Sequence, residues 1–345
     1  MIPIQNIYYM LSYAFQVLNE QGYKNIATEQ FNNTGELMAA ILEKGIAIQL
    51  KRGLGKEYIL QTEALSSLRG KIDIAESIKT QSMLRKQLIC TYDEFSVNSI
   101  MNRIIKSTVE LLLRSNISKQ RKKNLRKLMV YFSEVDFIDL YTVNWNVQYN
   151  RNNQTYRMLI SICYLVVKGL LQTQTDGITK LMDFLDEQRM CRLYEKFILE
   201  YYRKEFKNQF TANASQIPWQ LDNEENSMLP VMQSDIMLQS GEKVLIIDAK
   251  YYEHSTQVQF DKHTLHSGNL YQIFTYVKNK EYELREKNHT VSGMLLYAKT
   301  DEEIYPNNVY QMSGNQITVR TLDLNLPFDE IAGQLNTIAK THFDL

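Results

Sequence analysis

The chain has 345 residues, of which 44% are hydrophobic and 23% are charged, a balance that is typical of a folded globular protein. This length corresponds to about two domains of roughly 100–200 residues each. The 39 Lys and Arg residues equal the 39 Asp and Glu residues, so the formal net charge is zero. With 13 glycines and 5 prolines, the composition excludes a collagen-like or largely disordered chain.

The net charge of zero conceals two regions of opposite sign. Residues 1–150 contain 19 Lys and Arg against 14 Asp and Glu, a net charge of +5, and residues 151–345 contain 20 against 25, a net charge of −5. This asymmetry suggests that the two regions have different partners.

The first residues lack a basic segment and a cleavage site, and the apolar runs are shorter than about 18 residues. We therefore expect no signal peptide, no membrane span and a cytoplasmic location.

The first half of the chain predicts a mainly helical region with a small β element. In residues 6–20 apolar side chains recur at every third or fourth position from Ile7 to Leu18, which predicts a helix with Asn6 as its N-cap. A second helix is predicted over residues 34–49. Residues 51–95 contain glycines between short apolar stretches, which is typical of strands and turns. Helical periodicity returns over residues 99–132.

A run of basic residues lies inside this last helical stretch. Six cationic residues occur within nine positions, and no aromatic residue separates them: Lys119, Arg121, Lys122, Lys123, Arg126 and Lys127. A solvated helix end or a helix–helix turn is the common explanation of such a run. The alternative is a patch that contacts phosphate groups or an acidic partner. The absence of aromatic residues argues against stacking on single-stranded nucleic acid.

The second half predicts strands and helices in a particular order. A helix in the range 178–207 carries Glu195, and a polar, loop-rich stretch follows it. A short strand begins at Asp235, turns at a glycine, and returns as four consecutive aliphatic residues, which predict a buried strand. A helix that contains Gln272 and a strand over residues 291–298 complete the order.

Acidic and basic residues occur together in this predicted hairpin. The aliphatic strand ends in Asp248, Ala249 and Lys250, and side chains alternate along a strand, so Asp248 and Lys250 point the same way. Adjacent strands lie about 4.8 Å apart, so Asp235 converges on Asp248 if the register permits. Two carboxylates with water and a phosphate oxygen suit Mg²⁺. The pattern predicts metal-dependent phosphodiester hydrolysis, in which the lysine orients or deprotonates the attacking water.

A plainer explanation of an Asp and a Lys at a strand end is a structural ion pair. The order of the elements favours catalysis, because it resembles the PD-(D/E)XK nuclease core. The resemblance assigns Asp235 and Asp248 to the metal-binding carboxylates and Lys250 to the catalytic lysine, although serine precedes the first aspartate where that motif has proline. It matches Glu195 to an additional acidic residue on the preceding helix and Gln272 to a polar position on the following helix.

Two further expectations concern the surroundings of the predicted metal. The backbone carbonyl of Ala249 is a candidate further metal ligand. Burial and a nearby metal are expected to disfavour the protonated form of Lys250.

Five segments spread over the chain carry a closer resemblance. They are IPIQNIYYMLSYAF at residues 2–15, MNRIIKSTVELLL at 101–113, LYEKFILEYYRKE at 193–205, LIIDAKYY at 245–252 and NLYQIFTYV at 269–277. In this order they resemble the McrC family, which comprises the nuclease subunits of the McrBC modification-dependent restriction systems.

The resemblance implies an α+β protein in two regions. Residues 1–160 would form a mainly helical region with a small β element that engages an McrB-like AAA+ GTPase, and residues 161–345 would form the endonuclease domain. The chain would stimulate GTP hydrolysis by this partner and cleave double-stranded DNA that contains 5-methylcytosine, with Mg²⁺ as cofactor, in defence against phage. Two alternatives stay open: a non-catalytic activator or linker of an AAA+ ring, and a stand-alone nuclease that acts on RNA or branched DNA.

Overall fold

The structure, a computed structural model, describes most of the chain in continuous stretches and a few single positions. These are residues 2–15, 18, 23, 26, 29, 31, 33–150, 153–173, 187–223, 228–252, 257–259, 262–299 and 305–345. The chain forms two compact units. Residues 21–184 form the helical unit, and residues 1–20 together with 185–345 form the sheet unit.

The helical unit contains five α-helices and a three-stranded sheet among the residues described. The helices are α2 (Thr34–Arg52), α3 (Ile74–Lys79), α4 (Ile100–Arg114), α5 (Lys119–Met129) and α6 (Tyr156–Thr173), and the strands are β1 (Glu57–Leu65), β2 (Lys71–Asp73) and β3 (Leu88–Ser96). The strands are antiparallel in the order β1-β3-β2. Short 3₁₀ helices occupy Ser82–Arg85 and Val130–Phe132. The predicted helices around a small β element are confirmed.

Side-chain caps explain where two of these helices begin. The side chain of Asn33 accepts a hydrogen bond from the Glu36 amide at the start of α2, and Ser99 accepts one from the Asn102 amide at the start of α4. From these starts, apolar residues that recur at helical spacing are buried in both helices.

The sheet unit is built around a six-stranded sheet with helices. The helices are α1 (Ile4–Ala14), α7 (Glu187–Glu205), α8 (Ser267–Glu283) and α9 (Phe328–Phe343). The strands are β4 (Thr211–Asn213), β5 (Gln216–Ile217), β6 (Met232–Gln233), β7 (Ile236–Ser240), β8 (Lys243–Lys250), β9 (Gln257–Gln259), β10 (Lys262–Thr264), β11 (Thr290–Ala298), β12 (Asn308–Met312) and β13 (Asn315–Leu322). The large sheet has the order β12-β13-β11-β8-β7-β4, with β11 parallel to both β8 and β13. The predicted α+β class is confirmed.

The first helix packs inside the sheet unit. The ring of Tyr9 stacks on that of Phe328 with 4.4 Å between their centroids, and Tyr13 meets Phe197 edge to face at 5.7 Å. The hydroxyl of Tyr13 also donates a hydrogen bond to Glu205. The compact units therefore divide at residues 20 and 184. The sequence placed the boundary between a partner-binding region and an endonuclease domain near residue 160, and that functional boundary stays a prediction.

The predicted N-cap role of Asn6 is wrong. Helix α1 begins at Ile4 after Pro3, so Asn6 lies inside the helix. Its amide donates hydrogen bonds of 2.8 Å to the carbonyls of Leu324 and Leu326, which lie over 300 positions later in the chain. A tertiary contact therefore explains this asparagine, and periodicity alone could not reveal it.

Close packing of α8 on the sheet depends on a glycine in β11. A Cβ atom at Gly293 would come within 2.8 Å of side-chain atoms of Ile273, Val277 and Ile317. The glycine therefore allows α8 to approach the sheet closely, and this contact fixes the helix that carries Gln272. Among the helices that the structure describes, none is long and apolar enough to span a membrane.

Candidate active site

Two strands of the sheet bring the predicted carboxylates together. Strands β7 and β8 pair antiparallel with Ile236 opposite Ile247, so the position one step further places Asp235 opposite Asp248. The backbone amide of Ala249 donates a hydrogen bond of 2.9 Å to Oδ2 of Asp235. This bond orients the first carboxylate toward the end of β8, where the second one lies.

The carboxylate of Asp248 is buried and incompletely satisfied. Its side chain is 1% exposed, and Nζ of Lys250 lies 3.1 Å from Oδ1 and 2.9 Å from Oδ2. Only the contact with Oδ1 has the geometry of a hydrogen bond, so Oδ2 is buried without a well-aligned donor. Buried polar atoms are seldom left in this state, and a bound cation is one of the groups that would satisfy this oxygen.

The charges in the site shift one another's protonation. Burial raises the pKa of Asp248, the neighbouring charge of Asp235 raises it further, and Lys250 only partly opposes both. Burial also raises the pKa of Asp235. The two carboxyl groups lie close enough to form a hydrogen bond when one of them is protonated. The pair therefore tends to retain a proton that a divalent cation would displace.

The lysine behaves differently from the expectation that its protonated form is disfavoured. Burial lowers the pKa of Lys250, but the attraction and hydrogen bond of Asp248 and the charge of Asp235 outweigh burial, so the pKa lies above its usual range. Without a metal, the ammonium form is favoured because two carboxylates face one lysine.

Helix α8 places an amide against the lysine. Nζ of Lys250 donates to Oε1 of Gln272 over 3.4 Å, and Nε2 of Gln272 donates to the hydroxyl of Tyr276 over 2.9 Å. The second bond turns the amide so that its oxygen faces the lysine. The sequence indicated Gln272 but missed Tyr276, which lies four positions later and hence on the same helical face.

Glu195 approaches the site from α7. Burial raises its pKa first, and the negative charge of Asp235 raises it further. The thiol of Cys191 donates to Oε1 of Glu195 at 3.0 Å, and burial followed by this hydrogen bond raises the pKa of Cys191 to about 12. Sequence reasoning missed this partner too, although the i,i+4 spacing on a helix was available as a signal.

The structure brings five of the six predicted site residues together. Asp235, Asp248, Ala249 and Lys250 meet at the β7–β8 end, with Gln272 on the lysine. Among the residues that the structure describes, no three His, Cys, Asp or Glu side chains are close enough to hold a metal ion, so Glu195 stands outside the aspartate pair. Mg²⁺ in proteins is commonly held by one or two carboxylates together with water and substrate phosphate, so the aspartate pair fits this ion.

The comparisons with known proteins agree with one family. The family described as McrBC 5-methylcytosine restriction system component matches residues 5–298. The chain belongs to this family. The type IV methyl-directed restriction enzyme EcoKMcrBC of Escherichia coli (strain K12) is 29% identical over 330 residues, which cover 94% of this chain and 93% of that protein.

Two solved structures are also similar. One is a half-complex of a tetradecameric assembly of Thermococcus gammatolerans McrB AAA+ hexamers with bound McrC, at 18% identity and a TM-score of 0.48 over 97% of this chain and 76% of that chain. The other is the cryo-EM structure of the Thermococcus gammatolerans McrBC complex, at 21% identity and a TM-score of 0.41 over 59% of each chain. The resemblance found from the sequence is confirmed at the level of the family, and the matched range includes every residue of the candidate site.

Proposed function

We propose that this chain is the McrC-like endonuclease subunit of a cytoplasmic restriction system. It associates with an McrB-like AAA+ GTPase, stimulates GTP hydrolysis by that partner, and cleaves double-stranded DNA that contains 5-methylcytosine. Family membership supports the role in restriction. The AAA+ partner is inferred from the McrB AAA+ hexamers with bound McrC that the similar assembly contains.

The observation that carries the nuclease assignment is the buried, incompletely satisfied carboxylate of Asp248. A strand-end ion pair built for stability would place its charges where each oxygen finds a donor or water. Here Oδ2 is buried without a well-aligned donor, and a second carboxylate lies opposite it on β7. This arrangement supports a cation site rather than a structural ion pair.

The residues of the site divide the work of phosphodiester hydrolysis. Asp235 and Asp248 would hold Mg²⁺, with the Ala249 carbonyl as a further ligand. When bound, the ion stabilises negative charge on the phosphate and lowers the pKa of water. Lys250 lies beside the two carboxylates, where it would orient the attacking water and stabilise charge that develops on the phosphate. Gln272 fixes the position of the lysine, and Glu195 adds negative charge beside Asp235.

A pair of isosteric substitutions tests this assignment. Asp248→Asn removes the buried charge at the end of β8, whereas Asp344→Asn removes an exposed carboxylate that pairs with Lys243 at the other end of the same strand. With the GTPase partner, GTP and Mg²⁺, we expect Asp248→Asn to reduce cleavage of methylated DNA by about 1,000-fold or more, as loss of a catalytic metal ligand does. Its stimulation of GTP hydrolysis should remain, and Asp344→Asn should cleave as the unmodified chain does.

The outcomes separate the competing functions. Cleavage at the normal rate by Asp248→Asn would overturn the site. GTPase stimulation without cleavage by the unmodified chain would favour a non-catalytic linker of the ring. Rapid cleavage by the chain without its partner would favour a stand-alone nuclease.

A further inference from the structure

Helix α5 of the helical unit carries a concentration of positive charge that the proposed nuclease site does not use. No acidic residue occurs between Glu110 and Glu134, and α5 contains six Lys and Arg residues. One of them, Arg121, points inward. The other five are exposed or partly exposed and are called the basic face: Lys119, Lys122, Lys123, Arg126 and Lys127.

The inward cation is fully compensated. Arg121 contacts three carboxylates, at 2.8 Å from Glu29, 2.8 Å from Glu43 and 3.4 Å from Glu36. Glu36 also accepts hydrogen bonds of 2.8 Å from the amide and hydroxyl of Ser118, the N-cap of α5. The helix is thus anchored by its inner charge, and its outer charges are not needed for that anchoring.

The basic face has no such compensation. No carboxylate in the described part of the chain forms an ion pair with any of its five members, whereas Arg121 on the same helix has three. Like charges stand four positions apart at Lys119 and Lys123, at Lys122 and Arg126, and at Lys123 and Lys127, and such pairs weaken a helix. The first turn lacks an acidic residue and holds cations where the helix dipole is positive. An external polyanion would offset both effects.

The composition of the basic face fits phosphate better than a protein surface. Protein interfaces are depleted in lysine and rely on buried apolar and aromatic anchors. In α5 the apolar Leu125 is buried, and Leu128 and Met129 are at least half covered, so the exposed side offers no such anchor. No aromatic residue lies among the five cations, and the exposed Tyr131 lies beyond the end of α5, so the face offers no row of rings for successive unpaired bases, which favours a duplex over a single strand.

We infer that the basic face of α5 binds the phosphate backbone of duplex DNA without reading its sequence. The inference rests on the proposed action of the chain on DNA and adds a second contact, on the helical unit. At 1.5 Å per residue the face spans about 12 Å, and a duplex of that length carries about seven phosphate charges. Lysine and arginine contacts to phosphate position a protein on DNA and contribute affinity that depends on salt.

The test compares two triple variants of the full chain that lose the same charge. Lys123→Gln, Arg126→Gln and Lys127→Gln together neutralise part of the basic face. The matched control combines Lys71→Gln, Arg85→Gln and Lys207→Gln, which are exposed cations scattered over the molecule. Binding to an unmethylated duplex is measured by fluorescence anisotropy in EDTA at several salt concentrations, so that neither cleavage nor methylation contributes.

We expect the basic-face variant to lower the slope of log K against log salt by about 2.7, since each lost phosphate contact contributes about 0.9. At 0.1 M salt its affinity should fall by about tenfold or more, and the scattered control should change much less. A third variant, with Lys123→Arg, Arg126→Lys and Lys127→Arg, keeps the charge and should bind as the unmodified chain does.

Three results would overturn the inference. Equal slopes for the basic-face variant and the scattered control would show that only net charge matters. No binding by the unmodified chain even at 20 mM salt would show that there is no DNA-contacting face. Normal DNA binding with lost stimulation of the GTPase partner would assign the face to an acidic protein surface. Because binding is measured without cleavage, failure of the proposed nuclease activity would appear separately, in the Asp248→Asn comparison.

Discussion

Each unit of the molecule groups carboxylates around one cation, and the two clusters differ in how well their carboxylate oxygens are provided with hydrogen-bond donors. In the helical unit, three carboxylates surround the guanidinium of Arg121, and its planar donors reach each of them. In the sheet unit, two carboxylates face the single ammonium of Lys250, and Oδ2 of Asp248 lacks a well-aligned donor.

The protonation behaviour of the clusters follows from this difference. Hydrogen bonds and charge attraction from Glu43 and Glu29 outweigh burial and raise the pKa of Arg121, so its charge is secure. At Asp248, burial outweighs the lysine, and the pKa of the carboxyl rises. We call the first cluster compensated because each of its carboxylates accepts a hydrogen bond from the guanidinium, and the second uncompensated because Oδ2 of Asp248 lacks a well-aligned donor. The first arrangement stabilises a fold, whereas the second leaves an oxygen that can bind a further ion. This distinction separates the structural charges of the chain from the candidate catalytic ones.

The largest expected effect on stability is at the compensated cluster. Arg121→Met leaves three carboxylates grouped without their cation, and we expect it to lower the free energy of unfolding by about 2–3 kcal/mol. Removal of one partner from a fully buried ion pair costs about 3–5 kcal/mol. We expect a smaller loss here because the Glu29 side chain is 42% exposed, so water can solvate its charge. Urea denaturation measures the change.

The control is a cation of the same helix. Lys123→Met, on the basic face, should change the free energy of unfolding by less than about 0.5 kcal/mol, as is usual for an exposed position. If both substitutions destabilised the chain equally, the contrast between the inner and outer charges of α5 would be wrong.

A smaller effect is expected from pH at the uncompensated cluster. The pKa of Asp248 is higher in the folded chain than the value of about 3.9 in an unfolded one, so above that value the folded state binds more protons than the unfolded state. The contribution of Asp248 to the free energy of unfolding should therefore fall by roughly 1–2 kcal/mol as pH rises from 5 to 8 in the presence of a chelator.

Asp248→Asn should flatten this dependence, because asparagine does not titrate, and Asp344→Asn should leave it unchanged. Thermal or urea unfolding at the two pH values measures the slope. A slope that is unaltered in Asp248→Asn would mean that this carboxyl is not the group that retains the proton.

The sequence predicted the elements and the central residues of the site because both depend on local patterns. Alternation along β8 placed Asp248 and Lys250 on one face, and the hairpin placed Asp235 opposite them. The sequence did not reveal that α1 belongs to the sheet unit, because that placement depends on stacking between Tyr9 and Phe328, which are distant in the chain.

The protonation of Lys250 could not be predicted for a related reason. Burial lowers the pKa of this lysine and the two carboxylates raise it, so the direction of the net shift depends on which effect is larger. That comparison requires the distances between the charges, which only the fold sets. Cys191 and Tyr276 were missed although each lies four positions from a predicted residue on a helix. Their hydrogen bonds became recognisable once Glu195 and Gln272 had been placed.

The smallest predicted effect concerns the edge of the uncompensated cluster. Glu195 stands outside the aspartate pair but raises the negative charge beside Asp235, so it would support the site without holding it together. Glu195→Gln keeps the shape and an acceptor for the thiol of Cys191 and removes only the charge. We expect single-turnover cleavage of methylated DNA, with partner, GTP and Mg²⁺, to slow by about tenfold, which corresponds to about 1.4 kcal/mol of the barrier. Glu200→Gln, on the same helix and paired with Arg203, is the matched control and should cleave normally. Loss as complete as that of Asp248→Asn would make Glu195 a direct metal ligand, and an unchanged rate would remove it from the site.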